Sequence, residues 1–345
     1  MKAVQIESHG GVDVLEIADI PTPVITPDKV LVKVEASSIN HLDIWVRKGF
    51  PGITLPMPLI LGSDAAGIVV ESGKNVPKYT SGDEVIIQPG TYCGNCKYCD
   101  SQRENYCQSY GVLGETQNGV QGEYILLHPD NLHPKPKALS FTEAASMPLI
   151  FMTAHQMLVR RAELTRNDII LIYGGTSGVG GAAIQIAKDI GAEIIATVGS
   201  DEKMEFAYAM GANIVINHSH ADWYKEVKSH IGKNAVDVIF EHIGSATWEH
   251  SLRLLAKGGR IVTCGATTGN EVSLNLTHLF IKQHSVLGST MSDILTFKLV
   301  MEKISNGIYT PFVDKVFSAD EIQEAHVYIE ERKHMGKVVV EFGAS

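Results

Sequence analysis

The sequence predicts an α/β protein that combines a β-rich, barrel-like domain with a doubly wound parallel sheet. Short alternating strands punctuated by prolines fill about the first 130 residues, and proline cannot donate a hydrogen bond to a strand ladder. Apolar strands then alternate with helical stretches, which is typical of a parallel sheet with right-handed crossovers. A glycine-rich turn also joins the first of these strands to a helix. Together these observations predict two domains of different architecture.

A change of pattern near Phe141 marks the expected domain boundary. Before it, apolar alternation at residues 30–34 and 67–70 predicts strands. After it, helical periodicity runs from Phe141 to about Arg161. We therefore expect the two domains to comprise residues 1–151 with 292–345, and residues 152–291.

The second domain is predicted to contain the parallel sheet. Its strands are expected at residues 169–173, 193–197, 214–216, 236–240, 260–264 and 285–288. Helical stretches separate these strands, so each connection is expected to be a right-handed crossover. The chain then returns to the β-rich domain through helical stretches around 295–304 and 319–331 and a strand at 337–341.

Charge and hydropathy exclude several classes of function. The chain has 39 acidic and 29 basic side chains and no dense basic stripe. Nonspecific nucleic-acid binding depends on clustered lysine and arginine, so nucleic acid is not an expected partner. No apolar run approaches the ~18 residues of a membrane helix, and residues 1–10 lack the pattern of a secretory signal. We expect a cytoplasmic protein that acts on a small molecule.

Four of the five cysteines fall in one short loop rich in Gly, Asn, Tyr and Asp. They are Cys93, Cys96, Cys99 and Cys107. Four thiolates at such spacing can close a tetrahedral shell around one structural zinc and leave no position for water. An iron–sulfur cluster and reduced free thiols are the alternatives. Cys264 lies in an apolar segment and is expected to be a small core residue.

The glycine-rich turn spans residues 173–181, between an apolar strand and a helix. Exposed backbone N–H groups and the helix dipole favour a pyrophosphate at such a turn. The sequence therefore predicts a dinucleotide-binding site. Its candidate residues are Gly175, Thr176, Ser177, Gly178, Val179 and Gly180.

The expected cofactor is NADPH. An NAD site normally has an acidic residue at the end of the second strand, where this chain has Val198-Gly199-Ser200. Ser200 and Lys203 can bind a 2′-phosphate there. In the alternative, Lys203 is a solvated helix residue and Asp201 reaches the ribose. Two further candidates for contact with the cofactor are Gly265 and Thr153, the latter expected to start the first helix of the cofactor domain.

The glycine turn, the four-cysteine loop and the returning tail resemble the medium-chain dehydrogenase/reductase family of zinc alcohol dehydrogenases, quinone oxidoreductases and enoyl reductases. The resemblance covers essentially the whole length. It implies a GroES-like catalytic domain with a zinc lobe at about residues 90–110, and a Rossmann domain that binds NADP. It also implies a homodimer or homotetramer that pairs through the strand near residues 285–289, because family members often pair Rossmann sheets edge to edge.

The ligands of a catalytic zinc are absent from this chain. By the resemblance, the positions of these ligands fall at Asn40, Ser63 and Leu149. Leu42 stands where the alcohol dehydrogenases carry the hydroxyl that relays the alcohol proton. Serine and leucine cannot replace imidazole and thiolate as zinc ligands. We therefore do not expect zinc-assisted alcohol oxidation.

Three segments are similar to those of crotonyl-CoA carboxylase/reductases, and the chain also resembles archaeal acryloyl-CoA reductases in kind. The segments are residues 39–45, 114–119 and 240–244. The resemblance implies that Asn40, Glu115 and His242 line the active site. Gly114 departs from the Phe-Glu pair of that family, so a wall of the carbon dioxide pocket is missing and simple reduction is favoured over reductive carboxylation.

The expected reaction is NADPH-dependent reduction of an activated C=C bond, in a short enoyl-CoA such as acryloyl-CoA or crotonyl-CoA. A quinone oxidoreductase uses the same hydride chemistry and is the main alternative. A non-enzymatic NADPH-binding protein is a third possibility, because the sequence does not identify the proton donor. Each candidate catalytic residue also has a structural alternative. Asn40 can hold a turn, Glu115 can be a solvated loop carboxylate, and His242 can cap the end of a strand.

Overall fold

The computed structural model describes residues 1–50, 54–233 and 235–342. They form two compact units, Met1–Leu149 with the chain from Ser292 onward, and Ile150–Met291. A β-rich unit and a parallel-sheet unit together confirm the predicted fold class. Among the helices described, none is long and apolar enough to cross a membrane.

The first unit is built mainly from antiparallel strands. Numbered along the chain, they are β1 (Lys2–Ile6), β2 (Glu16–Asp19), β3 (Val30–Ile39), β4 (Leu59–Ile60), β5 (Asp64–Ser72), β6 (Glu84–Ile87), β7 (Gly90–Thr91), β8 (Gly111–Val112), β9 (Tyr124–Leu127), β10 (Leu132–Pro134), β17 (Val313–Ser318) and β18 (Lys337–Glu341). The main sheet has the order β10-β6-β5-β3-β18-β17, and β9 also pairs with β3. Two smaller sheets have the orders β2-β1-β4 and β7-β8.

Helices cover the sheets of the first unit and connect its strands. They are α1 (His41–Lys48), α2 (Lys97–Asp100), α3 (Phe141–Ala145), α10 (Ile294–Ser305) and α11 (Ile322–Glu330). The helix α4 (Pro148–His155) begins in this unit and ends in the second.

Strand β3 is the centre of the first unit and is buried along most of its length. Val32 and Val34 pack into one apolar cluster with strands β5, β6 and β9. Ile39 packs into another cluster that includes Val338 of β18. Because β18 runs antiparallel to β3 with Val338 opposite Ile39, the beginning of β18 lies beside the beginning of α1.

The second unit is a six-stranded parallel sheet with the order β13-β12-β11-β14-β15-β16. Its strands are β11 (Ile169–Ile172), β12 (Glu193–Val198), β13 (Ile214–Asn217), β14 (Val236–Glu241), β15 (Leu255–Thr263) and β16 (Ser285–Gly288). Its further helices are α5 (Gly178–Ile190), α6 (Met204–Met210), α7 (Trp223–Ile231), α8 (Ser245–Leu254) and α9 (Leu276–Lys282). The strand order reverses at β11, so the carboxyl ends of β11 and β14 flank the point where ligands bind in such sheets.

Several predicted elements differ from the observed ones. The single helical stretch predicted from Phe141 to Arg161 is divided into α3, α4 and a π-helical segment, Gln156–Arg161. Thr153 consequently lies in the second turn of α4 and does not start a helix. Strand β15 ends before Cys264, which is half-buried and is therefore not a fully enclosed core residue.

Candidate active site and four-cysteine cluster

A buried polar cluster lies in the first unit where strand β3 passes into helix α1. Asn40 connects the two elements, and its backbone is extended. Its backbone N–H donates to Asp43 Oδ2 at 2.7 Å, and its side-chain Nδ2 donates to Asp64 Oδ2 at 2.9 Å. Asp64 also accepts from the backbone N–H of Leu149 at 2.8 Å. Asn40 is therefore fixed by carboxylates from α1 and β5.

Lys337 completes this cluster from strand β18. Its ammonium Nζ lies 2.5 Å from Asn40 Oδ1 and 3.6 Å from Asp64 Oδ2. The antiparallel register of β18 against β3 brings it there. Sequence analysis missed Lys337. A lysine that begins the apolar run 338–340 could have indicated a buried ion pair, because a charge buried in a sheet needs a partner.

Burial dominates the protonation equilibria of the cluster. It raises the pKa of Asp43 to about 6, against the opposing effect of backbone hydrogen bonds from Asn40 and Gly62. Burial also raises the pKa of Asp64 and lowers the pKa of Lys337, while the attraction between these two charges acts in the opposite direction on each. Two carboxylates thus share one ammonium in a buried site.

The three positions expected for catalytic zinc ligands do not form a metal site. Asn40 is bonded through its side chain to Lys337 and Asp64. The hydroxyl of Ser63 donates to the carbonyl oxygen of Leu113 at 2.8 Å. Leu149 has no ligating atom in its side chain. With an ammonium already beside Asn40, the donor set is unsuited to a zinc ion.

Glu115 lies on a tight turn that packs against the segment carrying Asp64. A Cβ on Gly114, whose φ is +80°, would lie 2.5 Å from the carbonyl oxygen of Gly62. A Cβ on Gly119 would lie 2.2 Å from the same oxygen. Glycine is therefore required at both positions, and the turn is held close to Gly62. Glu115 is half-buried, and burial raises the pKa of its carboxyl group.

His242 lies in the second unit, one residue beyond the end of β14. Its Nε2 donates to the carbonyl oxygen of Tyr173 at 2.8 Å. Its ring packs against Gly174, where a Cβ would lie 3.2 Å from Cε1. Burial lowers the pKa of His242. The ring is therefore neutral at pH 7, with its proton on Nε2.

The glycine turn has the geometry that a pyrophosphate needs. Gly174 has a φ of +59°, and a Cβ on Gly180 would lie 2.2 Å from the Gly174 carbonyl oxygen. Ser177 caps helix α5 by accepting a hydrogen bond from the backbone of Gly180 at 3.0 Å. The turn thus brings the beginning of α5 close to the strand that precedes it. This turn, in which glycines let the backbone approach closely, fits a dinucleotide at the helix N-terminus.

The remaining cofactor candidates occupy loops and helices of the second unit. Ser200 and Lys203 are half-buried beyond the end of β12, and Gly265 is half-buried beyond β15. Asp201 accepts a hydrogen bond from Asn217 Nδ2 at 2.8 Å. Thr153 is buried on α4, and its hydroxyl has no hydrogen-bond partner among the described residues. An orphaned hydroxyl of this kind fits a polar group of a bound cofactor.

The four clustered cysteines converge in the first unit. All four sulfur atoms lie within 4.8 Å of one another. The closest pairs are Cys107 to Cys93 at 3.5 Å, Cys96 to Cys99 at 3.6 Å, and Cys93 to Cys99 at 3.9 Å. Sulfur atoms about 2.3 Å from a tetrahedral zinc are separated by about 3.8 Å, so these three sulfur–sulfur distances are close to those of a four-thiolate zinc site.

Comparisons with known proteins agree with this architecture. The family model of the alcohol dehydrogenase GroES-like domain matches residues 26–137, and that of the zinc-binding dehydrogenases matches residues 178–306. A crystal structure described as an NAD-dependent alcohol dehydrogenase is 42% identical, with a TM-score of 0.95 over 99% of this chain and 100% of that one. The chain belongs to the medium-chain dehydrogenase/reductase family.

Other members of the medium-chain dehydrogenase/reductase family are similar along most of this chain. Crotonyl-CoA carboxylase/reductase of Cereibacter sphaeroides is 29% identical over 96% of this chain and 84% of its own length. A structure of a 2-octenoyl-CoA carboxylase reductase, in complex with NADP and 2-octenoyl-CoA, is 28% identical. Its TM-score is 0.90 over 99% of this chain and 87% of that one. As a member of this family, the protein is an oxidoreductase.

Proposed function

We propose that the protein is an NADPH-dependent 2-enoyl-CoA reductase that acts on a short substrate, such as acryloyl-CoA or crotonyl-CoA, without a catalytic zinc. The observation that carries this proposal is the cluster of Asn40, Asp64 and Lys337. It presents an amide and a buried ammonium at the position where alcohol dehydrogenases hold a metal. Reduction of an enoyl thioester needs hydrogen-bond donors for an enolate oxygen and needs no Lewis acid.

NADPH, when bound, supplies the hydride that reduces the C=C bond at the carbon β to the thioester. The electron pair of that bond then becomes an enolate, with negative charge on the thioester oxygen. Asn40 has a second Nδ2 hydrogen that is not used by Asp64, and we assign it to this oxygen. A proton added at the carbon α to the thioester completes the reduction.

Glu115 and His242, one in each unit, have different roles in this proposal. The raised pKa of Glu115 keeps its carboxyl group protonated to a higher pH than a solvated glutamate, which suits a residue that donates a hydrogen bond or a proton. His242 donates its Nε2 proton to Tyr173, so it can only accept at Nδ1. We therefore assign His242 to orienting the glycine turn, with no role as a proton donor.

The residues that hold NADPH in this proposal lie along the second unit. The turn from Gly175 to Gly180 binds the pyrophosphate, and Ser200 with Lys203 binds the 2′-phosphate. The orphaned hydroxyl of Thr153 serves the nicotinamide amide, and Gly265 lets the backbone approach the same end. The NADP bound to the similar 2-octenoyl-CoA carboxylase reductase supports NADP(H) as the cofactor.

Gly114 favours simple reduction over reductive carboxylation. Its positive φ and the short distance from its Cβ position to Gly62 leave no room for the phenylalanine that the carboxylating family carries there. The pocket for carbon dioxide therefore lacks one wall. We expect bicarbonate to leave the product unchanged, with crotonyl-CoA giving butyryl-CoA alone.

The test is a comparison of hydride acceptors. NADPH oxidation is measured with crotonyl-CoA, acryloyl-CoA and a benzoquinone, and NADP⁺ reduction is measured with primary alcohols. Turnover of the enoyl thioesters, with products identified by mass spectrometry, is the expected result. Turnover of the quinone alone contradicts the proposal and identifies a quinone oxidoreductase. Tight NADPH binding without turnover of any acceptor identifies a non-enzymatic binding protein.

A further inference from the structure

Two charged groups hold the amide of Asn40 from opposite ends. Lys337 Nζ lies 2.5 Å from Oδ1, and Asp64 Oδ2 lies 2.9 Å from Nδ2. Rotating the amide by 180° would place Nδ2 against the ammonium and Oδ1 against the carboxylate, which is unfavourable at both ends. The side chain of Asn40 therefore has one stable orientation.

This orientation determines where the second Nδ2 hydrogen points. One hydrogen is directed to Asp64, and the planar amide then fixes the direction of the other. The ammonium also draws electron density from the Asn40 carbonyl group, which makes the remaining N–H a stronger donor in this buried site. Both effects depend on Lys337, whose side chain is buried and cannot be replaced by solvent.

We propose that Lys337 is a positioning residue that orients and polarises Asn40 so that its free N–H binds the oxygen of the substrate. This inference rests on the proposed enoyl reductase function. Lys337 itself touches neither substrate nor cofactor in this role, because it acts through Asn40. Arginine keeps the charge at this position, whereas methionine keeps only the length of the side chain.

Charge balance is the competing explanation for Lys337. Asp43 and Asp64 both lie in the cluster, and Asp64 also faces the hydroxyl of Ser38 at 3.4 Å. Removing the ammonium leaves these carboxylates unpaired, which lowers stability whatever happens to Asn40. The double variant D64N/K337M removes one charge of each sign and separates the two explanations.

The first experiment observes Asn40 directly and needs no substrate. The side-chain amide of Asn40 is followed by ¹⁵N NMR and is assigned by its loss in Asn40→Ala. We expect slow solvent exchange of the amide proton bound to Asp64 in the wild type and at least tenfold faster exchange in Lys337→Met. Lys135→Met, which removes another buried lysine paired with Glu84 at 3.0 Å, is the control and leaves this exchange unchanged.

The second experiment is a double-mutant cycle on turnover. Lys337→Met is expected to lower kcat about tenfold to a hundredfold, with the Kd for NADPH unchanged, because the oxygen-binding donor is misplaced. In an Asn40→Ala background the same substitution has no further effect on kcat. Relative to Lys337→Met, D64N/K337M is expected to regain thermal stability but not kcat. Lys337→Arg is expected to keep part of both.

Two results overturn the proposal. One is unchanged exchange of the Asn40 amide in every folded Lys337 variant. The other is a loss of kcat that persists in full in the Asn40→Ala background, or that D64N/K337M restores along with stability. If the wild type turns over no enoyl thioester, the proposed function fails, and the NMR result still decides the role of Lys337.

Discussion

His242 donates its Nε2 proton to the carbonyl oxygen of Tyr173, the residue immediately before the glycine turn. The same ring lies against Gly174, so it supports the turn from the side of β14. This hydrogen bond fixes the tautomer of the histidine, and burial lowers its pKa. It is suited to keeping the turn in shape, and it is unsuited to releasing a proton at neutral pH.

His242→Phe is expected to weaken NADPH binding about fivefold, because one neutral hydrogen bond contributes roughly 1 kcal/mol. The aromatic ring still packs against Gly174, so the unit remains folded. Calorimetric titration of NADPH checks this, together with the pH dependence of kcat, which is expected to keep its wild-type shape. His250→Phe is the control, since His250 stacks on Tyr224 of helix α7. A hundredfold loss of kcat with unchanged NADPH affinity would instead assign His242 to the chemical step.

Lys203→Ala is expected to weaken NADPH binding by ~1.5–3 kcal/mol, or about one to two decades in affinity, while NADH binding changes little. The reason is the loss of one charged hydrogen bond to the 2′-phosphate. Titration with both cofactors measures the difference. Lys225→Ala removes another cation of this unit, one paired with Asp222 at 2.6 Å, and serves as the control. Equal losses for NADPH and NADH would show that Lys203 does not contact the 2′-phosphate.

Cys96→Ser is expected to lower zinc content and melting temperature together, because a closed thiolate site contributes directly to folding. Metal analysis of the wild type is expected to give one zinc per chain. The folded fraction of the variant keeps its turnover, since this site has no open coordination position. Cys264→Ser, outside the cluster, leaves the zinc content unchanged. Two equivalents of zinc per chain would mean that Asn40, Ser63 and Leu149 were wrongly rejected as a metal site.

Asp43 is expected to make the folded state less stable as the pH rises from 4 to 7. Burial raises its pKa from 3.8 to about 6 in the folded protein, so the folded state binds the proton more tightly than the unfolded state does. The contribution of Asp43 to the free energy of unfolding therefore falls by roughly 2 to 3 kcal/mol between pH 4 and pH 7. Asp43→Asn removes it, so the unfolding free energy of the variant relative to the wild type increases with pH. Urea titrations at several pH values measure this, and a constant difference contradicts the assignment.

The edge strand β16 is expected to pair with a second copy of the chain. It is the last strand of the parallel sheet, and helix α9 beside it exposes Leu276, Phe280 and Ile281. The double substitution F280E/I281E is therefore expected to increase the monomer fraction in light scattering. Leu299→Glu changes an exposed leucine of helix α10 in the other unit and leaves the mass unchanged. A monomeric wild type would contradict the prediction.

Local sequence patterns were sufficient for most of the fold. The six parallel strands are predictable because each is a short apolar run between helical stretches. The glycine turn is predictable because the backbone approaches too closely for a side chain at Gly180. The helical stretch from Phe141 to Arg161 was predicted less well. Its periodicity carries no signal for the breaks that divide it.

The site was predicted only in part, because its decisive contacts join distant segments. Asn40 and Glu115 are candidates because of the resemblance to family segments, and the close packing of Gly62 with Gly114 explains why the Glu115 turn lies beside Asp64. Sequence analysis did not identify Lys337, because its position beside Asn40 depends on the register of β18 against β3. Spacing along the chain contains no information about that register.

The contact between Asn40 and Lys337 also determines when the first sheet can form during synthesis, because 297 positions separate the two residues. A ribosome adding roughly 5 to 20 residues per second takes roughly 15 to 60 s to cover that interval. Throughout that time β3 lacks its neighbour β18, and its open edge is available for pairing with other nascent chains. The second unit, Ile150–Met291, is made within the same interval. The nascent protein therefore completes the parallel sheet of the second unit before its first sheet can close, and early release of the chain leaves β3 exposed and without Lys337.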